Sequence, residues 1–270
     1  MSEGKSTFDR DWQPAADLLA GKVMAITGAG AGIGRAAARA FAAHGATVLL
    51  FGRTLAKLEA VYDEIVAAGH PEPVIQAVNL TGVTAEDCQQ LANAIDVSFD
   101  GLDGLLHNAS MLGPRVPLAG YDPVAWQEVM ATNLNSNFLL TQALLPLLEA
   151  SGAQAAPAEA QTGSPLVLFT GSGAGLRPRA YWGAYAVAKA GVEALMKVFA
   201  DESENISPVR FASINPGGTR TAMRAAAVPG EDPNRLPTPE DLMPLYLWLF
   251  GKSDRHIHGQ SISAREWLRL

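Results

Sequence analysis

The stretch KVMAITGAGAGIGRAAARAFAAHG, residues 22–45, decides the fold. It opens as an aliphatic run, passes through Thr27-Gly28-Ala29-Gly30-Ala31-Gly32-Ile33-Gly34, and continues as an alanine-rich segment of helical period. A strand, a glycine turn and a helix on one unbroken segment predict the opening of a βαβ unit. Gly28 permits the tight turn, Gly32 lets the backbone approach a ligand with no Cβ in the way, and Gly34 lets the helix lie close on the strand. The helix N-terminus offers free N–H groups and a partial positive charge, a seat for phosphate. Glycines alone would serve a ligand-free turn equally well. Their place between strand and helix is what points to a nucleotide.

Outward from this turn, short β-branched and aliphatic runs alternate with longer helical stretches, the pattern of a parallel sheet covered on both faces. The predicted strands are 22–27, 46–52, 73–79, 102–108, 165–171, 208–214 and about 260–264. Helices are predicted near 32–44, 54–68, 84–99, 123–149, 182–204 and 237–250. This order predicts an α/β fold: a single doubly wound Rossmann-type domain over 21–270, with a seven-stranded, mostly parallel sheet flanked by helices. Residues 1–20 read as an N-terminal arm. Two segments interrupt the alternation. Residues 150–165, small, polar and alanine-rich, read as a surface loop insertion. Residues 222–239 carry four prolines after a strand's carboxyl end and read as a candidate substrate lid.

Composition narrows the function classes. With 48% hydrophobic and 17% charged residues and a formal charge of -7, the chain suits a compact protein, and its acidity disfavours nucleic-acid partners. No apolar window long enough to span a membrane and no secretory signal is legible, which leads to an expectation of a cytoplasmic protein. The single cysteine, Cys88, reads as a structural thiol, and His256 and His258 read as surface residues. No spacing suggests a metal site.

The second strand ends in Gly52-Arg53, where an enzyme using NAD(H) would be expected to offer a carboxylate to the ribose 2′-hydroxyl. An arginine there can clasp a 2′-phosphate with charge-assisted hydrogen bonds, which favours NADP(H) over NAD(H). Arg35, nearby, reads as a surface helix residue.

Downstream of the turn, Ser172 precedes Tyr185-Ala186-Val187-Ala188-Lys189 by thirteen residues, and the chain from about 20 to 264 resembles the short-chain dehydrogenase/reductase family. The resemblance rests on the TGxxxGxG turn at 27–34, on His107-Asn108-Ala109-Ser110 in place of NNAG, on Asn133, on Ser172, on YxxxK at 185–189, and on PGxxxT from Pro216 to Thr221. Stretches such as NPGGTRTAMRA are similar to a bacterial subgroup whose substrates are unassigned. The resemblance implies a catalytic set of Ser172, Tyr185, Lys189 and Asn133. It further implies that Gly30, Ala31, Ile33, Asn79, Leu80, Asn108, Ala109, Pro216, Gly217, Thr219 and Thr221 join Gly28, Gly32, Gly34, Arg53, Tyr185 and Lys189 around the cofactor. A homodimer or homotetramer is also implied, and the leucines and small residues on several faces of 123–149 and 182–204 agree with it. Three departures stand out: His107 and Ser110 in NNAG, Asn79 for the usual aspartate, and a C-terminus SISAREWLRL without the usual aspartate and glycine pair.

These residue types fit carbonyl reduction or its reverse. Tyr185 is the candidate acid, and Lys189 one helical turn later can tune a phenol that ordinarily titrates near 10. Ser172 at a strand's carboxyl end can hydrogen-bond the substrate oxygen, and Asn133, in the family's pattern, anchors a water on the proton path. Met111, Leu112, Tyr181, Trp182 and Met223 suggest a small-molecule carbonyl or alcohol of apolar character. The rival readings are a catalytically silent nucleotide sensor of the same fold and an NAD-dependent alcohol oxidiser. The partial Gly171-Ser172-Gly173 lacks the register of a hydrolase elbow.

Overall fold

The computed structural model describes residues 11–154 and 163–269. Seven strands form one sheet: β1 Val23–Thr27, β2 Thr47–Gly52, β3 Val74–Ala77, β4 Gly104–His107, β5 Leu166–Thr170, β6 Arg210–Asn215 and β7 Ser261–Ser263. Their order is β3-β2-β1-β4-β5-β6-β7, and every pairing is parallel, so the sheet is wholly rather than mostly parallel. The helices are α1 Gly32–Ala43, α2 Leu55–Ala67, α3 Ala85–Ser98, α4 Pro123–Met130, α5 Ser136–Gln154, α6 Gly173–Leu176, α7 Gly183–Ser203, α8 Ala222–Ala227, α9 Met243–Gly251 and α10 Ala264–Leu268. Side chains of a strand alternate between faces, so Leu166 and Leu168 join α1, α2 and α9 in one core while Val167 and Phe169 join α3, α5 and α7 in the other. Chain order reverses direction between β1 and β4, which opens the crevice where such sheets bind ligands.

Several expectations change in detail. The helix predicted over 123–149 is two helices joined by a π-helical turn at Ala131–Asn135, where Asn133 leaves the regular ladder. The 150–165 stretch is not all loop: residues 150–154 extend α5, while Ser164 and Pro165 are buried beside β5. Residues 155–162 lie outside the described residues. The candidate lid contains a short helix, α8, and is held down by Arg224 Nε to Glu231 Oε2 at 2.5 Å and by Arg220 Nε to Pro233 O at 2.8 Å. Within the N-terminal arm, Leu19 is fully buried and its N–H donates to His44 O at 2.9 Å, so this part belongs to the domain; residues 1–10 lie outside the described residues. The helix expected from 237 starts at Met243.

His258 is not a surface residue. Its Nδ1 accepts from the Phe211 N–H at 3.2 Å and its Nε2 lies 2.7 Å from Ala200 O, so the ring ties β6 to α7 as a neutral tautomer. Half-buried His256 sits against Asp254. A charge no sequence pattern singled out, Arg210, is fully buried and donates to Ser164 O, Ser253 O and Ser253 Oγ, joining the start of β5 to the end of α9. Burial lowers its pKa to about 9.

Candidate functional site

The turn after β1 and the segment after β4 are spliced by one hydroxyl. Thr27 Oγ1 accepts from the N–H groups of Asn108 and Ala109, both at 3.0 Å, and the Asn108 amide donates to Thr27 O at 3.3 Å. The glycines are needed for this closeness. Gly28 has φ 69°, and a Cβ on it would stand 2.9 Å from Ala109 Cα; a Cβ on Gly34 would stand 2.2 Å from Gly28 O. Between the two segments lie two adjoining clefts at the carboxyl ends of the strands.

The first cleft is lined by Gly28, Gly30, Ala31, Arg53, Asn79, Leu80 and Ala109, all among the predicted residues. Arg53 is exposed at its edge, and Lys57, one turn into α2, lines the same wall. Lys57 was missed, although its spacing of four from Arg53 at a helix start could have flagged it. Asn79 Oδ1 accepts from the Thr81 N–H at 3.3 Å. Arg35 takes no part here: it is paired with Glu64 at 2.5 Å.

The second cleft gathers Gly32, Ile33, Asn108, Ser172, Tyr185, Lys189, Pro216, Gly217, Thr219 and Thr221, which sequence places in five separate segments. Gly34 lies beneath, against Gly28 and Asn108. Leu112, Trp182, Met223 and Ala227 form the apolar part of its wall, with Arg115 stacked over the Trp182 ring at 4.9 Å. Tyr181, by contrast, is exposed with φ 69° and stays off the wall, and Met111 faces the first cleft.

Ser172 ends β5 and caps α6, its Oγ accepting from the Ala174 N–H at 3.2 Å, so its own proton is free for another acceptor. Tyr185 and Lys189 share a face of α7. Burial raises the Tyr185 pKa, while hydrogen bonding from Ser172, the charge of Arg224 and hydrogen bonding from Ser110 counter it. Two cations stand near the phenol: Arg224, whose charge lowers its pKa, and Lys189, whose Nζ lies 5.8 Å from the ring centroid. Arg224 was not foreseen, and only its place three residues after the capping Thr221 hinted at it.

Lys189 is buried, with Nζ donating to Thr170 O at 2.7 Å. Burial pulls its pKa down to about 8, against the opposing charge of Glu193 one turn further along α7. Glu193 accepts from Ser213 Oγ at 2.7 Å and from Ser261 Oγ, which seats it under the cleft.

Asn133 does not line either cleft. Its Oδ1 accepts from the Met111 N–H at 2.7 Å and its Nδ2 donates to Met111 O at 2.8 Å, while its own carbonyl accepts from Asn137 Nδ2 at 3.1 Å. Its side chain thus clamps the loop after β4. His107 is fully buried, stacks on Phe169 with ring centroids 4.9 Å apart and meets Thr141 Oγ1 at 2.8 Å; burial and the Lys189 charge push it down to about 3, so it stays neutral. Among the described residues, no group of histidine, cysteine and carboxylate side chains could hold a metal.

Residues 22–232 match the family model described as short chain dehydrogenase. The chain belongs to the short chain dehydrogenase family. Among its relatives in this family of oxidoreductases is the uncharacterized oxidoreductase YciK of Escherichia coli K12, 47% identical over 254 residues that cover 94% of this chain and 96% of that one. A solved structure of a short chain dehydrogenase from Salmonella enterica serovar Typhi superposes with a TM-score of 0.87 at 46% identity, covering 94% of this chain and all of the other (100%). A Shigella flexneri 2a structure, described as a short chain dehydrogenase complexed with NADP, gives a TM-score of 0.85 at 45% identity over 93% of this chain and 100% of that one. No helix among the described residues is long and apolar enough to cross a membrane.

Proposed function

We propose that this short chain dehydrogenase is an NADP(H)-dependent oxidoreductase that interconverts a carbonyl and an alcohol on a small molecule. The observation that carries the reading is the convergence of Ser172, Tyr185 and Lys189 in one cleft that adjoins the glycine cradle. The cradle fits a dinucleotide: Gly28, Gly30 and Ala31 line the first cleft without bulky side chains, and Arg53 with Lys57 supplies a cationic wall suited to a 2′-phosphate. The Shigella relative's complex with NADP supports the same choice.

When bound, the nicotinamide supplies or accepts the hydride. The residues of this chain manage the proton. Ser172 donates a hydrogen bond to the substrate oxygen, and the Tyr185 phenol gives its proton to that oxygen as negative charge develops. The charge of Arg224 stabilises the phenolate left behind. Lys189, positioned by Thr170 O and kept protonated by Glu193, restores the proton and would hold the nicotinamide ribose hydroxyls of a bound cofactor. Asn133 acts by fixing the Met111 backbone on the cleft's edge rather than by facing the reactants. Leu112, Trp182 and Met223 favour a substrate with an apolar body.

Exposed Phe138 on α5 and Val187 and Val198 on α7 support a helix-to-helix subunit interface, in a homodimer or homotetramer. Cys88, buried and with its thiol pushed up to about 11, suits a structural role in a reducing cytoplasm.

The test is titration with NADPH and NADH, then carbonyl and alcohol panels on the protein and on Tyr185→Phe. Tighter binding of NADPH, with turnover lost in Tyr185→Phe, is expected. Tight NADPH binding without turnover across broad panels would replace this reading by a nucleotide sensor, and a preference for NADH would remove the role given to Arg53.

A further inference from the structure

The β4 and β5 strands pair with His107 opposite Phe169. Ser110, in the segment after β4, and Ser172, after β5, both line the second cleft, so the loops leaving two adjacent strands each bring a serine to the crevice. Ser110 stands where the family pattern has glycine. It lines both clefts, at their junction with Gly28, Ala31 and Ala109. Its Oγ is shielded from solvent and makes no well-formed hydrogen bond. A shielded hydroxyl without a partner is unfavourable, and proteins keep such groups chiefly where a ligand or a reaction completes them. The neighbours that could use it are few. The Asn108 Nδ2 group already donates to the Thr27 and Gly28 carbonyls, and both side-chain polar atoms of Asn133 are committed to Met111. The Tyr185 phenol lines the same cleft, and a hydrogen bond from Ser110 would favour its ionised form.

We propose that Ser110 is a further catalytic residue, a second hydroxyl that hydrogen-bonds the Tyr185 oxygen from the β4 side while Ser172 serves the substrate oxygen from the β5 side. The proposal rests on the reading of Tyr185 as the proton donor. The Ser110 proton is not transferred: Tyr185 gives its proton to the substrate oxygen, and the Ser110 O–H turns to the phenolate oxygen that results. In the direction of alcohol oxidation, the same bond favours the phenolate needed as base. The groups facing the phenol are Ser172 after β5, Arg224 on α8, and Lys189 on its own helix.

The experiment compares wild type with Ser110→Ala, Ser110→Gly and Ser110→Thr, each labelled with tyrosine carrying ¹³C at Cζ and saturated with NADP⁺. The Tyr185 resonance is assigned by its loss in Tyr185→Phe, and its titration is followed by NMR. Loss of one hydrogen bond to the ionised form should raise the midpoint by about half a pH unit or more in the alanine and glycine variants, with threonine restoring it. With a turned-over alcohol in hand, kcat/KM should fall about threefold or more near neutrality and recover above the new midpoint. A purely structural role would lower activity at every pH and leave the midpoint in place. Coincident Tyr185 titrations in wild type and Ser110→Ala overturn the proposal. Because the NMR readout needs no turnover, failure of the carbonyl reading and failure of the Ser110 assignment are told apart.

Discussion

Replacing Lys189 with methionine should change how the protein's stability depends on pH. The ammonium is buried and held by Thr170 O, with its pKa down to about 8 from the ordinary 10.5. Between those values the unfolded chain retains a proton that the folded chain has released. Unfolding there takes up a proton, so wild-type stability rises with pH. Below about pH 8 both states carry the proton, and burying the charge is a constant penalty. For a single group shifted from 10.5 to about 8, the gain from pH 7 to pH 10 is about 2.5 kcal/mol. Lys189→Met lacks this group and therefore this slope. The free-energy gap between variant and wild type should move by that amount in favour of the wild type, whatever constant offset the lost Thr170 hydrogen bond adds. Urea unfolding followed by circular dichroism at pH 7, 8, 9 and 10 measures the gap. A gap constant to within about 0.5 kcal/mol across that range would refute the assignment of a depressed, buried ammonium.

Glu193→Gln removes the charge that opposes Lys189's desolvation, so the Lys189 pKa should fall further below about 8. Any activity that needs the ammonium should then fail at lower pH than in wild type, as a pH–rate profile would show. Arg53→Ala should weaken NADPH binding about 10- to 100-fold, as expected for the loss of a hydrogen bond between charged groups, and leave NADH binding nearly unchanged; equal losses for both would contradict a 2′-phosphate contact. Arg224→Gln should raise the Tyr185 midpoint by removing a nearby cation, and should loosen 222–236 by breaking the pair with Glu231, detectable as faster amide exchange there. Arg210→Met should destabilise the fold by about 3 kcal/mol because it strands the Ser164 and Ser253 carbonyls, with cofactor binding in the surviving folded protein unaffected.

Much of this architecture is written locally. The Thr84 capping box with Asp87 starts α3 where the sequence predicts a helix, and strands β1, β2 and β5 are continuous apolar runs because both their faces are covered. The glycine turn was equally legible, since its geometry depends on which residues lack a Cβ. The break in the predicted 123–149 helix was not legible: Asn133 departs from the helical ladder because its side chain finds both backbone groups of Met111, twenty-two residues upstream. His258 read as a surface histidine because its two partners, Phe211 and Ala200, lie 47 and 58 residues away.

The site divides along the same line. Sequence by itself determined the α/β alternation, the phosphate-type turn and the candidate Arg53, which depend on residue type and spacing within one segment, while Ser172, Tyr185 and Lys189 came from the family resemblance. Only the tertiary structure decided that Arg224 joins Tyr185 and Lys189 in one cleft, that Lys57 joins Arg53, and that Ser110 and Ser172 line the same cleft. Those facts depend on distances through space between segments far apart in the chain, and on burial, which strengthens charges and exposes the cost of an unpaired hydroxyl.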